Sequence, residues 1–559
     1  MYNLLHEPWV CVTDMQGLSQ KVSLLDVFEH AHEYAGFAGD NKAQDLAMMR
    51  LCLTILHRVF SRVNAQNCPY KQTGIQTVLQ VWKELYALKQ FPQEPILTYL
   101  DKWESRFELY DDKHPFFQVP AEFFTCDAEK AESKRSDAIQ LDGNVAKSSN
   151  TGKINVGKMR GFSPDVQLSH DEAARWLVYH QLFDVKAGKG YHLDSTSVKT
   201  KRGGVTKTVF FPCMGTKFTM MYTEGDSLWE TLMLNFVMLK NGQQLYDYTD
   251  YPASLLELPT VPCWEWDDND IRLRKESENT FCTYRENPIS MLNLQNRRIA
   301  LQHNDAGMCG YWSTYGDVID MTNNETESMM LWKIEKKDQI VRKPLVLKSS
   351  RFWESFQDMV QTDAAGVTAW LQLLESQHFV ERKKFLFAGL CFSMKQEACI
   401  DEIYYGEMTL SSVFLTKLGE VAREQFAIEI AHVDKLQAAV RKYAKSLMIC
   451  RFNTGGGKSA PSQVTGYADD MVLQYNQGLD HLVTTFFWTL TEEDVSEHLD
   501  ESCQRLNQLM LKHAFAFGNQ MWDDMGIFVN HNLNGKSPEV CYMDFRSDVV
   551  KTLYKEKQK

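Results

Sequence analysis

The sequence predicts an α+β protein, with a large mixed N-terminal domain over residues 1–405 and a C-terminal four-helix bundle over 406–559. At 559 residues the chain exceeds what one ordinary core organises, so more than one domain is required. Its hydrophobic content of 44% and charged content of 24% are those of a globular protein. The pattern also changes near Leu410: aromatic strand-like runs mix with helical stripes before it, and only helical spacing follows.

Taken in order, Trp9-Val10-Cys11-Val12 reads as a short strand. Ala43 to Phe60 is apolar at most positions, Leu46, Met49, Leu53, Leu56 and Val59 among them, and suits a buried helix. Residues 121–165 are polar and rich in Lys, Ser, Asn and Gly, so a long loop is expected. Ser169 is placed to cap a helix over Asp171–Phe183. A Gly/Lys-rich passage, Lys186 to Lys207, has no helical or strand period. Regular structure resumes with a strand at Phe218–Tyr222 and a helix over Ser227–Leu239, and residues 240–350 mix aromatic strands with loops.

Residues 385–402 read as a strand pair whose turn, Lys395-Gln396-Glu397, presents a glutamine beside a lysine. A projecting tip of this kind can part stacked base pairs, because wedging a side chain into a duplex step costs only a few kcal/mol. Most polar-tipped hairpins are plain solvated turns. Beyond Leu410, the residues Leu415, Leu418, Ala422, Phe426, Val433, Leu436, Val440 and Tyr443 form one stripe of a long amphipathic helix. Further helices over Gln463–Leu490, Glu492–Met525 and Val540–Tyr554 complete a bundle.

The formal net charge of −13 excludes an indiscriminate nucleic-acid binder, since phosphate neutralisation supplies most of such affinity. Charge is unevenly distributed, however. Residues 147–207 hold eleven Lys/Arg against five Asp/Glu, a basic island on an acidic body. Within it Gly188 and Gly190 flank Lys189, and Gly203-Gly204 follow Lys201-Arg202. Glycine lets backbone amides approach a ligand closely, and adjacent lysines neutralise phosphates. The alternative is a pair of ordinary solvated turns.

Catalytic signatures are weak. Asn453-Thr454-Gly455-Gly456-Gly457-Lys458-Ser459 resembles a phosphate loop, but Phe452 stands where its first glycine belongs and a helix precedes it. Asp469-Asp470 and Asp523-Asp524 are carboxylate pairs of the kind metal-dependent nucleases use, with no histidine or third acid assigned to them. Glu29-His30-Ala31-His32-Glu33 lacks a second ligand pair, and no Cys-x-x-Cys occurs. No cofactor or metal is called for. Thirteen scattered cysteines suit free thiols in a reducing compartment. The N-terminus lacks signal-peptide features, and no apolar run approaches the ~20 residues of a membrane span, so a cytoplasmic protein without membrane contact is expected.

Several short motifs, in order, resemble the CasA family, the large subunits of type I-E Cascade surveillance complexes of CRISPR systems. They are Asn3-Leu4-Leu5-His6-Glu7-Pro8-Trp9-Val10, Arg50 to His57, His114-Pro115-Phe116-Phe117-Gln118, Glu224-Gly225 with Glu230 to Asn235, and Leu294-Gln295-Asn296-Arg297-Arg298-Ile299. The set runs nearly end to end; the mid-chain cysteine cluster of some relatives is absent.

The resemblance implies a DNA-recognition subunit with no chemistry of its own, acting in antiviral defence. Guide RNA would read most of the target by base pairing while protein reads the short adjacent motif in duplex form, a division of labour known for a different effector. Such family members read the motif from the minor groove with a glycine loop and a lysine finger, and a glutamine wedge opens the first base pair. Carried over, Gln396 is the wedge, supported by Lys395. Gly203 and Gly204 read the groove, Gly188 and Gly190 being the alternative, and Lys333 is the finger, with Lys336 and Lys337 close by. Asn150, Lys153, Asn155 and Lys158 lie in the loop that would meet the guide RNA's 5′ end and neighbouring Cascade subunits. The bundle would admit a helicase-nuclease after target binding. Rival readings are a metal-dependent nuclease, a helical scaffold contacting only proteins, and a large subunit of another CRISPR subtype.

Overall fold

A computed structural model describes residues 2–124, 135–142, 166–183, 218–276, 282–317, 319–336, 340–347, 349–361, 364–393, 402–452, 462–526 and 537–554. The chain forms two compact units. One comprises Met1–Ser350, Asp363–Phe379 and Phe387–Gly406; the other comprises Arg351–Thr362, Val380–Leu386 and Glu407–Lys559. Mixed helices and strands fill the first, and helices dominate the second.

The first unit opens with β1 (Val10–Asp14), β2 (Ser19–Val22) and β3 (Tyr34–Phe37), an antiparallel sheet in the order β2-β1-β3. Ser23 and Asp26 form a capping box that starts α1 (Leu24–His30). Asn41 caps α2 (Lys42–Phe60), its Oδ1 accepting from the Gln44 N–H at 2.9 Å. Almost every side chain of α2 is buried, so it is a central helix without a solvent face. Then come α3 (Ile75–Ala87), α4 (Gln93–Lys102), the two-residue strand β4 (Ser136–Asp137) and α5 (His170–Phe183), which packs on α2. The Ser169 N–H and Oγ meet Glu172 Oε2 at 3.3 and 3.2 Å at the start of α5.

Next are β5 (Thr219–Glu224), α6 (Leu228–Asn235), the short pair β6 (Leu239–Lys240) and β7 (Gln244–Leu245), α7 (Asp268–Glu276) and α8 (Pro288–Leu292). The helix expected over Ser227–Leu239 therefore stops at Asn235, because the Asn235 side chain turns back to β5. The hairpin β8 (Arg297–Asn304) and β9 (Gly307–Tyr315) carries β4 on its edge. A second hairpin is β10 (Trp332–Lys336) with β11 (Ile340–Pro344). The helices α9 (Phe356–Met359) and α10 (Gly366–Ser376) precede β12 (Lys384–Ser393) and β13 (Glu402–Ser411).

In the second unit α11 (Glu420–Phe452), α12 (Ser462–Thr489), α14 (Leu499–Met525) and α15 (Pro538–Tyr554) pack as a bundle. The long helix begins at Glu420 rather than Leu415, because Leu415 closes a 3-10 turn and Leu418 is exposed. The stretch expected as one helix over Glu492–Met525 is two. Thr491 and Asp494 form a capping box on α13 (Glu492–Ser496), and the Glu497 and His498 N–H groups both close on the Glu493 carbonyl before α14 starts. Phe426 packs edge-on against Phe486, Phe487 and Phe414, at centroid distances of 5.9, 5.4 and 5.8 Å, giving this unit an aromatic core.

Candidate nucleic-acid interface

The framework is built around β5. On one side it joins β12, in the order β13-β12-β5. On the other, the Met221 N–H donates to the Met329 carbonyl at 2.7 Å and the Leu331 N–H to the Thr219 carbonyl at 2.9 Å. The Leu345 N–H then bonds the Leu331 carbonyl at 2.8 Å, which continues the ladder into the β10–β11 hairpin. Both candidate recognition hairpins thus hang from one central strand.

Buried polar locks hold that strand. Asn235 donates from Nδ2 to the Thr223 carbonyl at 2.7 Å and accepts from the Thr223 N–H at 3.1 Å. The turn between β5 and α6 is closed by Gly225 N–H to Thr231 Oγ1 at 2.9 Å and Asp226 N–H to Glu230 Oε2 at 2.6 Å. A Cβ on Gly225 would lie 2.6 Å from Glu230 Cβ and 2.7 Å from Thr231 N, so only glycine fits this close approach. The segment that pairs with β5 is fixed from below by Glu327. Its carboxylate takes two hydrogen bonds from Arg50 of α2, at 2.7 and 2.8 Å, with both side chains almost fully buried.

The Gly/Lys-rich passage, Lys186 to Lys207, falls between Phe183, the end of α5, and Phe218, just ahead of β5. These two rings stack with centroids 6.3 Å apart, so the exit and the return are a single place. Lys333 lies two residues past the Leu331–Thr219 rung, at that same end of β5. Its exposed side chain faces Lys343 across the hairpin, and the Lys343 ammonium is held by Glu335 at 2.9 Å. Among the described residues no carboxylate pairs with Lys333.

The Ser412 N–H bonds the Lys383 carbonyl at 2.8 Å, which sets β13 running back along β12 as the sequence suggests for this strand pair. Tyr405 on β13 gathers with Tyr222 and Lys42 around Glu224. Its hydroxyl is 3.5 Å from the carboxylate, and Lys42 sits 5.3 Å over its ring. Lys395 and Gln396, Lys201 and Arg202, Gly203 and Gly204, Gly188, Lys189 and Gly190, and Asn150, Lys153, Asn155 and Lys158 lie outside the described residues, as does Lys337. The described structure therefore gives the anchors of these segments and the finger candidate Lys333.

The sequence motifs prove to be scaffold. Gln118 is buried; it donates to the Leu109 carbonyl and accepts from the Leu301 N–H, both at 2.7 Å. Arg298 and Arg274, both fully buried, share Asp317 at 2.7 and 3.1 Å. Burial pushes the Asp317 carboxyl up, but the two guanidinium charges outweigh it and hold the group below its usual range. Asp469 forms an ion pair with Arg441, and the Asp523 carbonyl accepts from the Gly526 N–H at 3.2 Å. Among the described residues, neither carboxylate pair joins a cluster of three metal-ligand groups; such clusters occur at Asp26, Glu29 and His30 and at Glu493, Glu497 and His498. Ten cysteines there are free thiols, and among the described residues no helix is long and apolar enough to cross a membrane.

The family model for CRISPR-associated protein Cse1 matches residues 3–514. The chain belongs to the Cse1 family. A curated relative, the CRISPR-associated protein CasA/Cse1 of Thermus thermophilus, is 27% identical over 242 residues, which is 42% of this chain and 39% of that protein. The match therefore spans about two fifths of the curated relative's length. The fold is that of solved Cse1 structures. Thermobifida fusca Cse1 superposes with a TM-score of 0.71 at 21% identity, covering 99% of this chain and 98% of that one. The crystal structure of Thermus thermophilus CasA gives 0.68 at 18% identity, covering 99% of each. A chain of a structure titled "CRISPR RNA-guided surveillance complex" gives 0.65 at 11% identity, covering 98% and 99%.

Sequence reasoning did not find the Phe183–Phe218 closure, the Arg50–Glu327 pair or the Asn235 lock. Only the buried character of the "Arg50 to His57" helix and the "ETLMLN" run marked their neighbourhoods. The partners themselves are far apart along the chain.

Proposed function

We propose that this chain is the large subunit of a CRISPR RNA-guided surveillance complex and carries no chemistry of its own. Its first 405 residues recognise the short adjacent motif in duplex target DNA through the minor groove, and the helical region beyond recruits a helicase-nuclease. Lys333 and the Gly203-Gly204 turn, with Lys201 and Arg202 on phosphates, read the groove. The alternative turn is Gly188-Lys189-Gly190. Gln396, beside Lys395, wedges the first base pair apart. Asn150, Lys153, Asn155 and Lys158 meet the guide RNA's 5′ end and neighbouring subunits. The minor groove reports mainly A·T against G·C and its own width, which suits a short, permissive motif.

The observation that carries this reading is membership of the Cse1 family over residues 3–514. An acidic chain delivered by its complex needs only local basic contacts, and the closure at Phe183 and Phe218, with Lys333 toward the same end of β5, is consistent with this reading. The test is Gln396→Ala assembled into the full complex. Strand opening on relaxed duplex slows, while binding to a pre-melted target stays near wild type. Equal loss on both substrates overturns the wedge.

A further inference from the structure

Two polar residues interrupt the apolar stripe of α11. Phe426, Val433, Leu436 and Val440 are buried, and among them stand Glu429, 0% exposed, and His432, 7% exposed. Three positions apart, the two side chains share one face of the helix. Asn507 of α14, also buried, meets them there: its Nδ2 donates to Glu429 Oε2 at 2.6 Å. His432 Nδ1 lies 3.3 Å from that same oxygen. A carboxylate, an imidazole and a carboxamide thus converge between two helices that pack on each other.

Two atoms of this group, His432 Nδ1 and Asn507 Oδ1, are buried and meet no hydrogen-bond partner among the described residues. Burying such atoms is costly, and burying a carboxylate is costlier unless its charge is met. The 3.3 Å separation is informative, because no hydrogen bond spans it. Two ligands of a tetrahedral ion stand about 1.6 bond lengths apart, so this spacing fits bonds of ~2.0 Å, those of zinc to nitrogen and oxygen. A half turn of the Asn507 carboxamide exchanges Nδ2 for Oδ1 at the same corner, at the expense of one hydrogen bond. The run Glu429-Ile430-Ala431-His432 also has the Glu-x-x-His spacing that metal-carrying helix bundles project into their cores. Those bundles use the motif twice for two ions. Residues 406–559 contain it once, which suits a single ion.

We propose that Glu429, His432 and Asn507 bind one divalent first-row transition ion in the core of the bundle. Glu429 supplies the charge, and His432 Nδ1 and Asn507 Oδ1 supply the other protein ligands. The ion is structural and ties α11 to α14. A mixed nitrogen and oxygen donor set suits Mn²⁺, Fe²⁺, Co²⁺ or Zn²⁺, whereas Ca²⁺ and Mg²⁺ take oxygen and Cu⁺ prefers sulfur. A water molecule could bond the same two atoms but brings no charge to Glu429. This site differs from the groups at Asp26, Glu29 and His30 and at Glu493, Glu497 and His498, which are largely exposed. The inference does not rest on the function proposed above.

The experiment strips the full chain with a chelator and titrates it with Co²⁺. Visible absorption reports nitrogen and oxygen ligation, and a near-ultraviolet thiolate band exposes binding to cysteine. Wild type takes up one ion per chain without the thiolate band, and its thermal midpoint rises with Co²⁺ concentration. His432→Gln removes the nitrogen ligand and weakens binding about ten-fold or more. Asn507→Asp adds charge to the third ligand and tightens binding about ten-fold or more, an effect a merely structural asparagine does not give. Circular dichroism melts check folding, and Asn507→Asp is read alone if His432→Gln does not fold. His30→Ala/His498→Ala, at two exposed histidines, leaves the visible spectrum unchanged. The proposal is overturned if wild type binds no ion, if affinity ignores the folded His432 and Asn507 variants, or if the spectrum disappears with His30 and His498, which would mean an adventitious ion only.

Discussion

Replacing Glu327 by Gln tests whether the segment feeding β10 is held by charge. The side chains of Arg50 and Glu327 are 2% and 0% exposed, and their two parallel hydrogen bonds, at 2.7 and 2.8 Å, are the fork geometry of a strong pair. A third bond, from Arg50 to the Met291 carbonyl at 2.6 Å, satisfies the guanidinium further, and the Met329 N–H donates to Glu327 Oε1 at 3.1 Å. Glu327→Gln keeps the shape and an acceptor for Met329 but leaves a buried cation without its counter-charge, which costs about 3–5 kcal/mol. Arg50→Met strands the anion and costs a similar amount. The double variant Arg50→Met/Glu327→Leu removes both charges and costs much less than the sum, so the coupling exceeds about 2 kcal/mol. Urea unfolding followed by tryptophan fluorescence, run on all four proteins, measures this cycle. If either single substitution costs under about 1 kcal/mol, or the two costs simply add, the pair does not hold this segment and the argument fails.

Asp45 is buried, and burial pushes its carboxyl up to about 6, opposed by the Gly39 N–H and Lys42. The folded state therefore holds this proton more tightly than the unfolded chain; the stabilisation is full below about pH 4 and is lost as pH rises through about 6. At roughly 1.4 kcal/mol per pK unit, wild type loses up to about 3 kcal/mol across that window, and unfolding curves of Asp45→Asn at about pH 5 and about pH 8 show the slope reduced. Gly225→Ala forces a methyl into Glu230 and the Thr231 amide and lowers stability by about 1–3 kcal/mol, read in the same unfolding assay. Lys333→Ala weakens capture of duplex DNA by the assembled complex and reduces the slope of log affinity against log salt by about 0.9, and an unchanged slope removes Lys333 from the interface.

Helices whose burial repeats along the chain were the readable part. α2 and α12 lie within one residue of the spans drawn from their apolar patterns, because continuous burial leaves a local imprint. Ends were harder, since caps decide them. Thr491 with Asp494 starts a separate short helix inside an unbroken amphipathic pattern, and the Asn235 side chain prefers the Thr223 backbone to another helical turn. Long-range pairs left no local trace: Arg50 and Glu327 are 277 residues apart, and each alone looks like a surface charge. The motifs that signalled family kinship, around Gln118, Glu230 and Arg298, turned out to be buried hydrogen-bonding groups. Such groups tolerate few replacements, whereas recognition side chains vary with what they recognise.

The stacked rings of Phe183 and Phe218 carry an evolutionary consequence. When a chain departs and comes home at one clasp, lengthening the stretch in between is cheap, because each doubling of a loop costs only about 0.6 kcal/mol of closure entropy. Insertions, deletions and new basic residues can then accumulate there while β5 and its neighbours stay unchanged. The hydrogen bonds that hold β5 are thereby spared by changes of length or charge between the two rings.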